Sequence, residues 1–315
     1  MLMKEFILLL TIIFAMGCTQ KSRIEYPETR KVDVTDNYFG TVVPDPYRWL
    51  EDDRSDETAE WVKAQNELTF SYLESIPFVE DLKQRLTDIW NYPKMGIPNK
   101  EKDLYFYSFN TGLQNQSVLY VNKDLESEGE VFLDPNTFSE DGTVSLSTFS
   151  VSNDAKYAGY GISRAGSDWI EFFVREIETG QDLGDHIKWI KFSGLSWYKN
   201  GFFYSRYDQP AEGDELKGEN KNSKVYYHLL NTPQSEDKLI YKDEEHPYRA
   251  FGAGVSEDEA YLFLIATEST SGNAIAFKKA GLDASPFIWL EEEFNYDFHP
   301  VGNIDNMLYM RTNMD

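Results

Sequence analysis

Lys102-Asp103-Leu104-Tyr105-Phe106-Tyr107-Ser108-Phe109-Asn110-Thr111-Gly112 reads as a turn, a strand and a second turn. Aromatic residues suit a pleated, half-buried surface, so Leu104 to Ser108 predicts a strand. The polar pair before it and Asn-Thr-Gly after it are turn chemistry. Working outward, the same order recurs: Asn153-Asp154 precedes Tyr157, Glu257-Asp258 precedes Tyr261, and Ile304-Asp305 precedes Leu308, with Tyr198-Lys199 before Phe202 filling the gap. Intervals of about 45 to 60 residues fit a β-propeller, whose blades each use a four-stranded sheet. About four and a half blades fit the length available. Two packed antiparallel sheets are the competing arrangement. Further strands are expected at Val118 to Val121, Phe202 to Ser205, Val225 to Leu230 and Tyr261 to Ile265, with one long polar loop from Gln209 to Ser223.

Upstream of Pro98 the period changes. Ser55 or Asp56 opens a helix with Glu57 and Glu60 near its start and Trp61, Ala64, Leu68 and Tyr72 along one face. A second helix is expected with Pro77 at its first position and Val79, Leu82, Leu86 and Ile89 on one side, ending before Tyr92-Pro93. Residues 24 to 49 are rich in Pro, Asp and Tyr and read as an extended, irregular arm.

Composition narrows the function classes. The chain is 41% hydrophobic and 15% aromatic, with 20 Tyr and 21 Phe, which favours strand-rich structure. Its net charge of −24 repels an extended phosphate backbone, so a nucleic-acid partner is not expected. The apolar run from Phe6 to Met16 is too short to span a bilayer, which takes roughly 20 residues, and reads as a secretory signal. Ala15-Met16-Gly17-Cys18 is similar to a bacterial lipobox, in which the single cysteine, Cys18, is lipidated; Ala15 stands where Leu is usual, and ordinary cleavage before Cys18 is the alternative. The expected organisation is a signal peptide over 1–17, a lipidated tether over 18–25, an arm with two helices over 26–92 and propeller over 93–315. The expected location is exported, periplasmic or at the cell envelope, anchored to a bacterial membrane. One cysteine excludes an internal disulfide.

Asp45-Pro46-Tyr47-Arg48-Trp49-Leu50-Glu51-Asp52, followed by the helix carrying Trp61, resembles the N-terminal arm of prolyl oligopeptidases. Asn91-Tyr92-Pro93-Lys94, Tyr105-Phe106-Tyr107 and Asn110 to Tyr120 resemble that family's entry into its propeller, and Gly166-Ser167-Asp168-Trp169 and Lys191 to Trp197 are similar to later propeller segments. The resemblance covers nearly everything after Tyr26. It implies a partial β-propeller, about four to five blades of a seven-bladed type. It further implies a serine endopeptidase that cleaves short proline-containing peptides after proline, with the propeller restricting access. The motifs also have structural readings: Pro46 and the aromatic residues beside it make an anchor, and the amides of Gln114, Asn115 and Gln116 can satisfy loop backbone groups.

Catalytic residues are not expected in these 315 residues. A hydrolase nucleophile sits on a Gly-x-Ser-x-Gly elbow and needs an Asp and a His downstream, and no such pentapeptide occurs. Ser163 and Ser196 lie in strand and turn contexts and read as structural. His186, His228, His246 and His299 are far apart in sequence and read as packing or surface residues, and no cofactor or metal site is indicated. The segment from Trp169 to Ile177 lies on the path to the family's active site, but Val174 stands where some members have Phe, so no binding role is carried to it. The chain stops just after a strand-like run, Met307 to Met310, and is expected to be part of a longer enzyme whose α/β-hydrolase domain is missing from it. The alternative is a lipid-anchored, non-catalytic propeller that binds peptide or protein.

Overall fold

A computed structural model describes residues 24–304 and 307–314, which separate into two units with the division between Ile89 and Trp90. Cys18, the signal peptide, most of the tether and Asp305 of the repeated turns lie outside the described residues.

In the first unit the arm is less irregular than expected. Strands β1 (Thr35–Tyr38) and β2 (Thr41–Pro44) form an antiparallel hairpin. Its turn is made by Phe39 and Gly40 with φ of 53° and 94°, and Asn37 Oδ1 accepts from Gly40 N–H at 2.7 Å. Tight hairpins require such positive φ, and Gly40 allows it without strain. Helix α1 (Asp56–Glu74) starts as expected, because Ser55 Oγ accepts from Thr58 N–H at 3.2 Å and acidic residues occupy the first turn. Helix α2 (Val79–Trp90) starts two residues later than Pro77 would place it. A turn from Ile76 O to Val79 N–H holds Pro77 outside the helix. The arm is tied to α1 by polar contacts: Trp61 Nε1 donates to Thr29 Oγ1 at 2.9 Å, and Arg30 makes two hydrogen bonds to the Glu57 carboxylate at 2.6 and 2.8 Å. The Arg30 guanidinium lies 5.0 Å over the Trp49 ring, whose N–H donates to Arg30 O.

The second unit is a succession of antiparallel meanders. The first blade comprises β3 (Lys94–Met95), β4 (Asn99–Glu101), β5 (Leu104–Asn110), β6 (Val118–Asn122) and β7 (Glu130–Leu133). Both β3 and β4 pair with β5, so the first strand of this blade is broken in two. The second blade is β8 (Val144–Val151), β9 (Tyr157–Arg164), β10 (Ile170–Glu176) and β11 (Asp182–Ile190). The third is β12 (Ser196–Tyr198), β13 (Gly201–Arg206), β14 (Lys224–Leu229) and β15 (Lys238–Lys242). The fourth is β16 (Ala250–Val255), β17 (Tyr261–Thr267), β18 (Ala274–Lys279) and β19 (Ile288–Glu291). A further hairpin, β20 (Phe298–Ile304) with β21 (Met307–Thr312), completes four and a half blades.

The repeat seen in the sequence is the hairpin joining the first two strands of each blade. Lys102, Ala155, Lys199 and Glu259 occupy equivalent positions with φ between 51° and 57°. Two of the turns match bond for bond. Ser152 and Ser256 each accept through Oγ from backbone N–H groups four and five residues on, and each bonds the carboxylate of Asp154 or Asp258. Those local bonds offset a left-handed conformation that costs roughly 1–2 kcal/mol for a non-glycine residue.

Successive blades stack face to face, and the apolar cores lie between them. Phe106, Leu119 and Phe132 of the first blade meet Ala158, Tyr160 and Ile162 of the second. Phe172, Val174 and Ile187 meet Trp197, Phe202 and Tyr204. Val225 of the third blade meets Phe251 and Leu264 of the fourth. Polar joints recur where the second strand leads to the third. Gln116 donates to Val144 O and accepts from Leu146 N–H. Ser223 accepts from Phe251 N–H, and Asn273 bonds both Phe298 O and Phe298 N–H. Each therefore satisfies backbone at the start of the next blade's first strand, where an unpaired group would be costly.

Candidate functional site: one loop face of the propeller unit

In each meander the loop between the second and third strands and the connector to the next blade emerge at the same end of the sheet. Those loops, 111–117, 165–169, 207–223 and 268–273, together with connectors 134–143, 191–195, 243–249 and 292–297, make one face. Trp169 sits on it. Its indole N–H donates to Glu215 O at 2.7 Å, its ring meets Trp189 edge-on at 5.5 Å and Tyr207 at 6.3 Å, and Lys191 Nζ lies 4.1 Å over it. The long polar loop is thus tied to the second blade by this indole, by Tyr207 N–H donating to Trp189 O at 3.0 Å, and by Lys191 Nζ donating to Asn220 Oδ1 at 3.0 Å. Two aromatic residues beside this cluster have left-handed backbone: Trp189 with φ 64° and Phe192 with φ 55°. Phe192 is 68% exposed. Strained backbone that presents a large side chain to solvent persists only where its surroundings hold it.

Three adjoining cavities run along this face. One of about 240 Å³ lies between Trp169, Tyr207 and the 207–223 loop. It shares Asp208 and Asn222 with a second of about 340 Å³, which shares Lys242, Asp243 and Glu244 with a third of about 640 Å³ reaching Trp289 and Glu292. The walls carry both signs of charge, and most of the charges are paired. Lys224 bonds Asp208, Arg249 bonds Glu268 at 2.7 Å, and His246 Nδ1 is 2.9 Å from Asp243. Burial raises the Asp243 carboxyl, but bonds from His246 and two backbone N–H groups outweigh it and hold its pKa below the usual value. Such a surface can bind and orient a peptide or a protein surface.

Among the described residues, neither serine singled out in the sequence is paired with a histidine. Ser163 Oγ donates to Ser167 O, and Ser196 Oγ accepts from Val255 N–H at 2.9 Å, so both hydroxyls serve the backbone. His186 is 2.6 Å from Glu171 and stacks on Phe173. His299 lies on β20 opposite Arg311. Val174 is 1% exposed and packs in the core between the second and third blades. Of the segment Trp169 to Ile177, Trp169 is on the loop face, and β10 carries the chain from Ile170 to Glu176 away from it through the sheet. Among the described residues no group of three or more His, Cys, Asp or Glu is placed to hold a metal ion.

His228, expected as a packing or surface residue, has a further part in the structure. It is fully buried, with Nε2 2.8 Å from Asp185 and Nδ1 2.6 Å from Asp237. The partners lie 43 and 9 residues away, so spacing gives no sign of them. Alternation gives no signal either, because Val225 and Tyr227 are the buried alternate positions of β14 and His228 is buried directly after Tyr227.

Residues 26–315 match the family model described as prolyl oligopeptidase, N-terminal beta-propeller domain. The chain is 44% identical over 304 residues to a prolyl endopeptidase of Elizabethkingia meningoseptica, covering 96% of this chain and 43% of that protein. It is 35% identical over 325 residues to a dual function macrocyclase-peptidase of Galerina marginata, covering 92% of this chain and 44% of the relative. Prolyl oligopeptidase B from Galerina marginata, solved bound to a 25mer macrocyclization substrate, superposes with a TM-score of 0.79 at 32% identity over 92% of this chain and 44% of that one. The chain therefore belongs to the prolyl oligopeptidase family and carries its N-terminal propeller sequence. It spans less than half the length of these relatives.

Proposed function

We propose that this chain supplies the arm and the first blades of a serine endopeptidase that cleaves short peptides after proline. The observation that carries this reading is the family match across residues 26–315, together with a loop face that has cavities but holds no Ser-His pair among the described residues. In this reading the nucleophile, base and oxyanion donors come from an α/β-hydrolase domain, and the propeller limits which peptides reach them. The loop face, with its exposed Phe192 and pinned 207–223 loop, is where that domain or its substrate docks. In the same reading the enzyme is exported and held to a membrane by a lipid on Cys18, which the signal-like run from Phe6 to Met16 and the lipobox-like Ala15-Met16-Gly17-Cys18 support.

The test joins this chain to the C-terminal part of the Elizabethkingia meningoseptica relative. The chimaera is expected to cleave short proline-containing peptides after proline and to leave a long unfolded protein intact. Equal cleavage of both would remove the access role, and cleavage away from proline would remove the specificity. For the anchor, radiolabelled palmitate is expected to enter the native chain and not Cys18→Ser; equal labelling of the two would exclude lipidation at that position.

A further inference from the structure

The edge of the second blade is closed by a segment of the third. Strand β11 is the last of its sheet, and its outer edge has no strand partner there. The connector from Leu230 to Asp237 lies along that edge. Gln234 accepts from Lys188 N–H at 3.1 Å and donates to Lys188 O at 3.0 Å, standing in for a paired strand. Asn231 N–H donates to Asp185 Oδ1 at 2.7 Å. Beneath these bonds the His228 ring, on β14, lies between Asp185 of β11 and Asp237 at the end of the connector. Tyr204 of β13 donates its hydroxyl to the other oxygen of Asp237, and Phe202 packs 5.2 Å from the imidazole. Arg206, also on β13, is the nearby cation; it lies over Tyr226 and acts on Tyr204. Asp185 Oδ2 is buried with no hydrogen-bond partner.

A neutral imidazole donates through one nitrogen and presents a lone pair at the other. Here both nitrogens face carboxyl groups at hydrogen-bond distance, so with both of these ionised the imidazolium is the form that donates to each. Its charge also balances part of two buried carboxylates that would otherwise be expensive. We propose that His228 is a fixed imidazolium that clamps the 230–237 connector onto the edge of β11, and that its deprotonation in alkaline solution releases the clamp. Loss of the proton leaves a lone pair against one carboxylate, and the connector is the movable partner, because His228 itself is held in a central strand.

The electrostatics agree. Burial lowers the His228 pKa, but the bonds to Asp185 and Asp237 outweigh it and push it up to about 9. Because the folded-state value is raised above the ordinary 6.5, the stability this group contributes is fully present below about 6.5 and is lost as pH rises through about 9, where the folded-state imidazolium itself deprotonates. Across that window the folding equilibrium constant is expected to fall on the order of a hundred-fold from this group alone.

The experiment uses the whole chain labelled with ¹⁵N-histidine. Both ring nitrogens of one histidine are expected to be protonated at pH 7.5, titrating near pH 9, and Asp237→Asn is expected to move that midpoint down. In the unsubstituted chain, the amide of Lys188 is expected to exchange progressively faster than that of Phe203 as pH rises from 8 to 10, beyond the base catalysis common to both. A neutral His228 at pH 7.5, or a Lys188 to Phe203 exchange ratio that stays constant over that range, would overturn the proposal. Both readings come from the unsubstituted chain, so they stand whether or not Asp237→Asn folds.

Discussion

The two units use apolar residues in opposite ways. In the propeller unit large side chains such as Phe172, Phe202, Phe203 and Leu264 are fully buried between successive sheets. In the arm unit Thr58 is the one buried residue of α1, α2 buries none, and Phe70, Phe78, Leu82, Leu86 and Ile89 are all exposed. The amphipathic pattern of α2 is as clear in sequence as any strand of the propeller, yet among the described residues it has no core of its own. Periodicity shows which face of an element is made for burial, and the amount of stability it yields depends on what covers that face. The propeller unit derives its stability from sheets stacked on sheets, whereas the arm unit holds its form through caps and polar ties.

Four substitutions sharpen this contrast, each measured by chemical denaturation with a probe in the affected unit. Phe172→Ala empties a site at the joint of the second and third blades and is expected to cost about 3–5 kcal/mol. Gly201→Ala comes next. An added Cβ would lie 2.0 Å from His228 O and 2.7 Å from the Tyr227 ring, so strand and ring must shift, at about 1–3 kcal/mol. Ser55→Ala removes the cap of α1 and is expected to cost about 1 kcal/mol. Leu82→Ala, on the exposed face of α2, is expected to change stability by less than about 0.5 kcal/mol. A loss of several kcal/mol at Leu82, or a negligible one at Phe172, would break the comparison.

The parts of the fold legible in sequence are those set by local chemistry. The blades are visible because the hairpin at Ser152–Tyr157 and its twin at Ser256–Tyr261 carry their turn signals within a few residues, each before an aromatic strand. The start of α1 is legible because Ser55 and the acidic residues after it form a cap. The β1–β2 hairpin escapes a sequence reading because its turn uses Phe39, a residue that rarely takes positive φ, ahead of a single glycine. Pro77 misleads because a local turn competes with the helix for the residues after it. At the loop face, the polar 207–223 stretch is visible as a loop, but its attachment through Trp169 is not. His228, Asp185 and Asp237 are invisible as a group because strand pairing and blade stacking, both non-local, bring them together.

The most direct test of the account is a peptidase assay of the chain by itself, with a short chromogenic Gly-Pro substrate, with and without a serine-directed inhibitor. The geometry of Ser163, Ser196 and the four histidines predicts no turnover above the uncatalysed rate. Inhibitor-sensitive cleavage after proline would contradict it, and would mean that a nucleophile and base lie within these 315 residues after all.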